Sequence, residues 1–242
     1  MDLFNYSRRE SSEVNIGATP LGGNNPIRIQ SMTNTVTMDT EACVEQAKRI
    51  IDAGGEYVRL TTQGVREAEN LKNINIGLRS QGYDTPLVAD VHFNPKVADV
   101  AAQYAEKVRI NPGNYVDPGR TFRKLEYTDE EYAQEIEKIR ARFIPFLNIC
   151  KENHTAIRIG VNHGSLSDRI MSHYGDTPEG MVESCMEFLR ICVAEHFNDV
   201  VISIKASNTV VMVRTVRLLV EEMEKESYRL VTMSFWGTER AV

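Results

Sequence analysis

A chain of 242 residues with 42% hydrophobic and 26% charged residues can bury one sizeable core, and its length is close to that of a single eight-unit α/β barrel. Its net charge of −6 argues against nucleic acid as the main partner, because a phosphate backbone wants a basic face. The polar start lacks the apolar segment of a signal peptide and no run is long enough for a transmembrane helix. The four Cys form no CxxC pair, so a cytoplasmic protein with neither membrane contact nor a disulfide framework is expected.

Residues 1–25 are polar and rich in Gly, Asn and Ser, and Val14-Asn15-Ile16-Gly17 is expected to form a short hairpin strand that plugs the bottom of a barrel. The apolar runs then predict six strands: Pro26 to Met32, Tyr57 to Thr62, Pro86 to His92, Lys107 to Asn111, Ala156 to Val161 and Asp199 to Ser207. Between and after them, amphipathic stretches predict helices over Glu41 to Ala53, Val65 to Ser80, Pro95 to Tyr104, Thr128 to Asn153, Thr177 to His196 and Thr209 to Glu226. Their boundaries carry the usual punctuation, such as Gly54-Gly55 after the first helix and Pro near the start of the third. The charges of the long fourth helix read as a solvated face. Cys185 and Cys192, seven apart on one helix, share a face and read as buried core thiols.

Strand followed by helix, six times over, means a parallel sheet covered by helices. Polar groups recur at the C-terminal end of almost every strand, where barrel enzymes keep their sites. Neither a GxGxxG nor a Walker loop is present, so the nucleotide-binding open sheet lacks its fingerprint. The expected fold is therefore an α/β, TIM-type (β/α) barrel, incomplete, with about six of eight βα units. A six-unit barrel cannot close, so its first and sixth strands should keep unpaired edges.

A cation recurs inside these strands: Ile27-Arg28-Ile29, Val58-Arg59-Leu60, Val108-Arg109-Ile110, Ile157-Arg158-Ile159 and Ile204-Lys205-Ala206. Neighbouring strand residues face opposite sides, so apolar flanks buried under helices send the cations to the other face. Such a cluster needs an anion to offset its self-repulsion, and a phosphate ester is the expected ligand. Arg59, Arg109, Arg158 and Lys205 are the expected phosphate contacts; Arg28 lies further from its strand end. Asp90 and His92 share one face, and His92 could act as an acid or a hydrogen-bond donor. Asn111 and Asn162, just beyond their arginines, suit neutral hydrogen bonds. No zinc spacing or nucleophile motif appears, and His154, His163, His173 and His196 read as surface or loop residues.

Several strings together resemble one family. They are Gly22-Gly23-Asn24-Asn25-Pro26-Ile27, Gln30-Ser31-Met32-Thr33, Val88-Ala89-Asp90-Val91-His92-Phe93, Val108-Arg109-Ile110-Asn111-Pro112-Gly113-Asn114, the stretch from Ile157 to Leu166, and Ser203-Ile204-Lys205-Ala206-Ser207. The family is 4-hydroxy-3-methylbut-2-enyl diphosphate synthase, whose N-terminal barrel these strings resemble over residues 8–225. The resemblance implies a non-mevalonate isoprenoid enzyme, an iron-sulfur oxidoreductase. It implies that the barrel binds 2-C-methyl-D-erythritol 2,4-cyclodiphosphate. A 4Fe-4S cluster on a separate domain would then open the ring reductively, with electrons from ferredoxin or flavodoxin, in a homodimer. By the same likeness Arg59, Arg109, Arg158 and Lys205 would hold the diphosphate, with Asp90, His92, Asn111 and Asn162 completing the pocket. The family's cluster ligands, a CxxC with a further Cys and a Glu, have no counterpart here. Residues 1–226 are thus expected to form a partial substrate-binding barrel, inactive alone, and residues 227–242 a tail unlike the family, as in a truncated or frame-shifted product. The alternatives are a pterin-binding barrel enzyme and an inactive phosphate-ester-binding remnant.

Overall fold

The computed structural model describes residues 10–117, 126–226 and 228, and the backbone of 232–235. A hairpin of β1 (Glu13–Val14) and β2 (Leu21–Gly22) opens the chain. Then follow β3 (Gln30–Met32), α1 (Thr40–Asp52), β4 (Tyr57–Thr62), α2 (Val65–Arg79), β5 (Leu87–Val91) and α3 (Pro95–Ala101). The second half runs β6 (Lys107–Ile110), α4 (Pro112–Tyr115), α5 (Asp129–Asn153), β7 (Ala156–Asn162), a 3-10 turn (His163–Ser165), α6 (Asp168–Tyr174), α7 (Pro178–Ala194), β8 (Val200–Lys205), α8 (Thr209–Lys225) and β9 (Thr232–Phe235). Helix starts are fixed by side chains that take up orphan N–H groups: Asp39 accepts from Ala42 N, and Thr128 and Glu131 cap each other's backbone at α5.

Strands β3 to β9 form one all-parallel sheet in sequence order, as repeated right-packed βα units require. It curls into part of a TIM-type barrel. Val58, Leu60, Val108, Ile110, Ile157, Ile159, Ile202 and Ile204 lie buried in one cluster with helix residues Leu71, Ile74, Phe143, Phe146, Phe188 and Leu219. That is the outer face. The residues of opposite parity line the inner face. Its floor is a second cluster, in which Val14 and Ile16 of the N-terminal segment pack on Tyr57, Val88, Ala156 and Val201 at the strand starts. The expected plug is therefore present. All four cysteines are buried free thiols.

Two expectations are corrected. Arg28 is not in a strand: β3 begins at Gln30, with Ile27 82% and Ile29 60% exposed. Glu56 explains this, since its carboxylate takes the Ile29 N–H at 2.8 Å and Arg28 Nη1 at 2.7 Å, while Arg28 Nε donates to Pro20 O. Arg28 is thus engaged by Glu56 and Pro20 ahead of the strand rather than set on the inner face by strand alternation. The sixth strand is not an edge either, because β9 pairs with β8 in parallel from Thr232 to Phe235. The exposed edges are those of β3 and β9, which are not paired with each other among the described residues. Unpaired N–H and C=O groups at both edges, with Val210 and Val213 of α8 exposed, favour association. The 242-residue chain is expected to show a mass that rises with concentration in light scattering; a monodisperse monomer throughout would contradict this.

Candidate functional site

Alternation along the strands places Arg59 (β4), Asp90 (β5), Arg109 (β6), Arg158 (β7) and Ser203 (β8) on the concave face. Register aligns Asp90 with Arg109 and Arg109 with Arg158, while Arg59 aligns with Val88, two residues before Asp90, and Ser203 with Gly160, two residues beyond Arg158, so these two join the layer through their side chains. Asp90 is the hub. Arg59 Nη2 donates to its Oδ2, Arg109 Nη1 to its Oδ1 at 3.3 Å, and His92 Nε2 to Oδ2 at 3.1 Å. Arg109 Nη2 also reaches Gly160 O at 3.0 Å, and a Cβ on Gly160 would come within 2.5 Å of Arg109 Nε. Glycine is therefore what lets Arg109 lie flat across β7. Arg158 Nε donates to Ser203 Oγ at 2.8 Å.

Electrostatics follow from this packing. Asp90 is 2% exposed, and burial alone would raise its pKa, but the His92 hydrogen bond and the Arg59 and Arg109 charges hold it well below the usual carboxylate range. It is thus ionised. Among the described residues the layer sets three guanidiniums, Arg59, Arg109 and Arg158, around the Asp90 carboxylate, on a face almost out of water. One level up, at the rim, Asn162 and Lys205 are paired in register, and Lys205 is exposed. Asn111 lies between the layer and the rim. Its Nδ2 donates to Ser165 Oγ at 2.8 Å and its Oδ1 accepts from Gly113 N, so it ties the β6 loop to the β7 loop.

The structure thus brings together Arg59, Asp90, Arg109 and Arg158, attaches His92 to them, and sets Asn111, Asn162 and Lys205 around the opening. His163 sits 3.0 Å from Asp176 beside that opening. His154 caps α5 and His196 follows α7, each at positive φ. Sequence reasoning missed Ser203, Ser165 and Lys107. Lys107 is only 3% exposed, two residues before Arg109 on β6, with Nζ 4.4 Å from the centre of the Tyr57 ring. Parity with Arg109 was a signal for it.

A partly closed (β/α) barrel with an arginine-rich, buried inner face below the C-terminal mouth of its strands is the class that fold and site define. The chain belongs to the GcpE TIM-barrel domain family, which matches residues 11–232. It is 99% identical over 226 residues to the 4-hydroxy-3-methylbut-2-en-1-yl diphosphate synthase (flavodoxin) of Phocaeicola vulgatus, covering 93% of this chain and 37% of that protein. To the protein of the same name from Parabacteroides distasonis it is 74% identical over 227 residues, again covering 37% of it. The chain thus spans about 37% of the length of these curated relatives. Among solved structures it is similar to a truncated 3-deoxy-D-arabino-heptulosonate 7-phosphate synthase from Thermotoga maritima, with a TM-score of 0.55 at 10% identity, covering 93% of this chain and 69% of that one. It is also similar to a type I 3-dehydroquinate dehydratase from Clostridium difficile, with a TM-score of 0.55 at 12% identity, covering 93% and 81%. At such identities these two show the barrel fold alone.

Proposed function

We propose that this chain is the substrate-binding barrel of a 4-hydroxy-3-methylbut-2-enyl diphosphate synthase, acting in non-mevalonate isoprenoid synthesis. Its inner face holds 2-C-methyl-D-erythritol 2,4-cyclodiphosphate for reductive ring opening. The observation that carries the reading is the convergence of Arg59, Arg109 and Arg158 on one buried face around the carboxylate of Asp90. A dianionic phosphate ester suits such a face, because guanidinium groups match its oxygens in pairs. Lys205 at the rim adds a point charge. Asn111 and Asn162 accept and donate to the ring's hydroxyl and bridging oxygens. His92, held by Asp90, orients a donor at the same opening.

The relatives' name specifies flavodoxin, and flavodoxin is the electron donor we assign, with ferredoxin the other family donor; a homodimer is the expected assembly. The 4Fe-4S cluster implied by the family does not fit the donors of this stretch. Its four thiols lie buried on three helices, α1, α5 and α7, and burial pushes Cys185 up to about 12. Among the described residues no three His, Cys, Asp or Glu side chains gather to hold a metal. The work of these residues is to bind and orient the substrate. No helix of the described residues is long and apolar enough to cross a membrane.

Titration calorimetry tests the reading. The cyclodiphosphate is expected to bind, a pterin to give no heat, and Arg158→Leu to weaken binding about 10- to 100-fold, the scale of one lost charge-assisted contact. Binding of the pterin in preference, or a cyclodiphosphate affinity indifferent to Arg158, would sink it.

A further inference from the structure

We infer that Lys107 is a positioning residue for the anion site: it sits beneath Arg109 with no acid to pair with among the described residues, and takes up a proton when an anion seats on the arginine layer. The inference rests on the proposed anion site and deepens it. The geometry begins with parity. Lys107 and Arg109 point to the same side of β6, so Lys107 lies one level below the arginines, about 7 Å along the strand. It is 3% exposed, and no carboxylate among the described residues pairs with it. Its Nζ lies 4.4 Å from the centre of the Tyr57 ring of β4, and Tyr57 is itself fixed by donating its hydroxyl to Thr19 O at 2.6 Å.

The ionisable groups around Lys107 are cationic on nearly every side. Arg59 comes from β4, Arg158 from β7 and Arg109 from its own strand; the acid that the described residues bring to the layer, Asp90 on β5, is engaged by Arg59, Arg109 and His92. The residues in register with it, Val88 on β5 and Ala156 on β7, are apolar and belong to the cluster packed on the plug residues Val14 and Ile16. Burial, with Arg158 and Arg59 adding repulsion, brings Lys107 down to about 7. An anion on Arg59 and Arg158 reverses that repulsion at a range where charges in a protein still interact strongly. The proton then arrives from solvent, and the new ammonium pulls the anion inward. A Lys free to change its charge avoids the self-repulsion of a fourth permanent cation in the empty pocket, while an Arg there could not.

The sign is definite. Binding raises the Lys107 pKa from about 7, so proton uptake is largest just above neutrality, and affinity falls as pH rises from 7 to 9. Inorganic sulfate is the probe, because its own charge is constant over that range. Calorimetry at pH 7.5 in Tris, HEPES and MOPS, which differ in ionisation enthalpy, is expected to show uptake of a substantial fraction of a proton per sulfate. Lys107→Met is expected to abolish uptake and flatten the pH profile. Lys107→Arg, which keeps the charge, is expected to abolish uptake yet hold its affinity up to pH 9, and it carries the test if the Met variant does not fold. Sulfate binding by the wild type without proton uptake, or equal uptake by the Arg variant, overturns the role of Lys107 and leaves the anion site standing. No sulfate binding at any pH overturns both.

Discussion

Replacing Asp90 with Ala is expected to destabilise the fold by about 3–5 kcal/mol, the usual cost of removing one partner from a buried charge pair. Two buried guanidiniums, Arg59 and Arg109, would then face each other with no carboxylate between them, beside Arg158 and near Lys107. His92 would lose the acceptor that fixes its ring. Urea unfolding checks the loss. Saturating sulfate should recover part of it, because an anion that binds only the folded state stabilises by mass action, and more so where it replaces a missing negative charge. The pH dependence has a set sign. Asp90 is held below its unfolded value by His92, Arg59 and Arg109 against the effect of burial, so its contribution is complete above the ordinary carboxylate range and is lost only as pH falls below it. A variant within about 1 kcal/mol of wild type would show that the arginines do not depend on Asp90, against the scale expected for a buried pair.

The importance of Asp90 also marks how far sequence could go. Val58-Arg59-Leu60 and Ile157-Arg158-Ile159 announce strand and facing at once, because apolar flanks that bury at 0% force the residue between them to the other side. The same rule failed at Ile27-Arg28-Ile29, which has the same pattern. There the backbone of Ile29 is claimed by Glu56, whose N–H and carboxylate both bond to it, and the chain joins the sheet only afterwards. Parity put Asp90 and His92 on one face, but which cations they meet depends on the stagger between strands, and that comes from three-dimensional packing. Hence an anion site of four free cations was expected, and the structure shows two of them sharing an internal carboxylate. Ser203 and Lys107 obeyed the parity rule and were overlooked because neither sits at the C-terminal end of its strand. Strand β9 was not legible at all: residues 232–235 are too few to show a period, and only the exposed edge of β8 gives them a place.

The mouth of the site depends on one glycine in particular. A Cβ on Gly113 would lie 1.7 Å from the carbonyl oxygen of Ser165, 2.8 Å from its carbonyl carbon and 3.2 Å from Leu166 Cα. All three are backbone atoms, so no side-chain rotation can make room. Gly113→Ala must therefore push the β6 loop away from the β7 loop, breaking the 2.8 Å bond from Asn111 to Ser165 that joins them. The expected loss is about 3 kcal/mol or more, at the upper end for overpacking because the clash is with rigid chain. Cyclodiphosphate affinity should fall with it, since Asn111 and Asn162 stand on the two loops that part. Gly164→Ala, on the same β7 loop, is the matched control: a Cβ there meets nothing within 4 Å and its φ is not positive. It should stay within about 0.5 kcal/mol of wild type, or gain slightly from a stiffer unfolded chain. Thermal melts of both variants, each with calorimetry, decide the point. If the two alanines behave alike, close approach of the loops is not what shapes the opening, and Asn111 reaches its place by some other constraint.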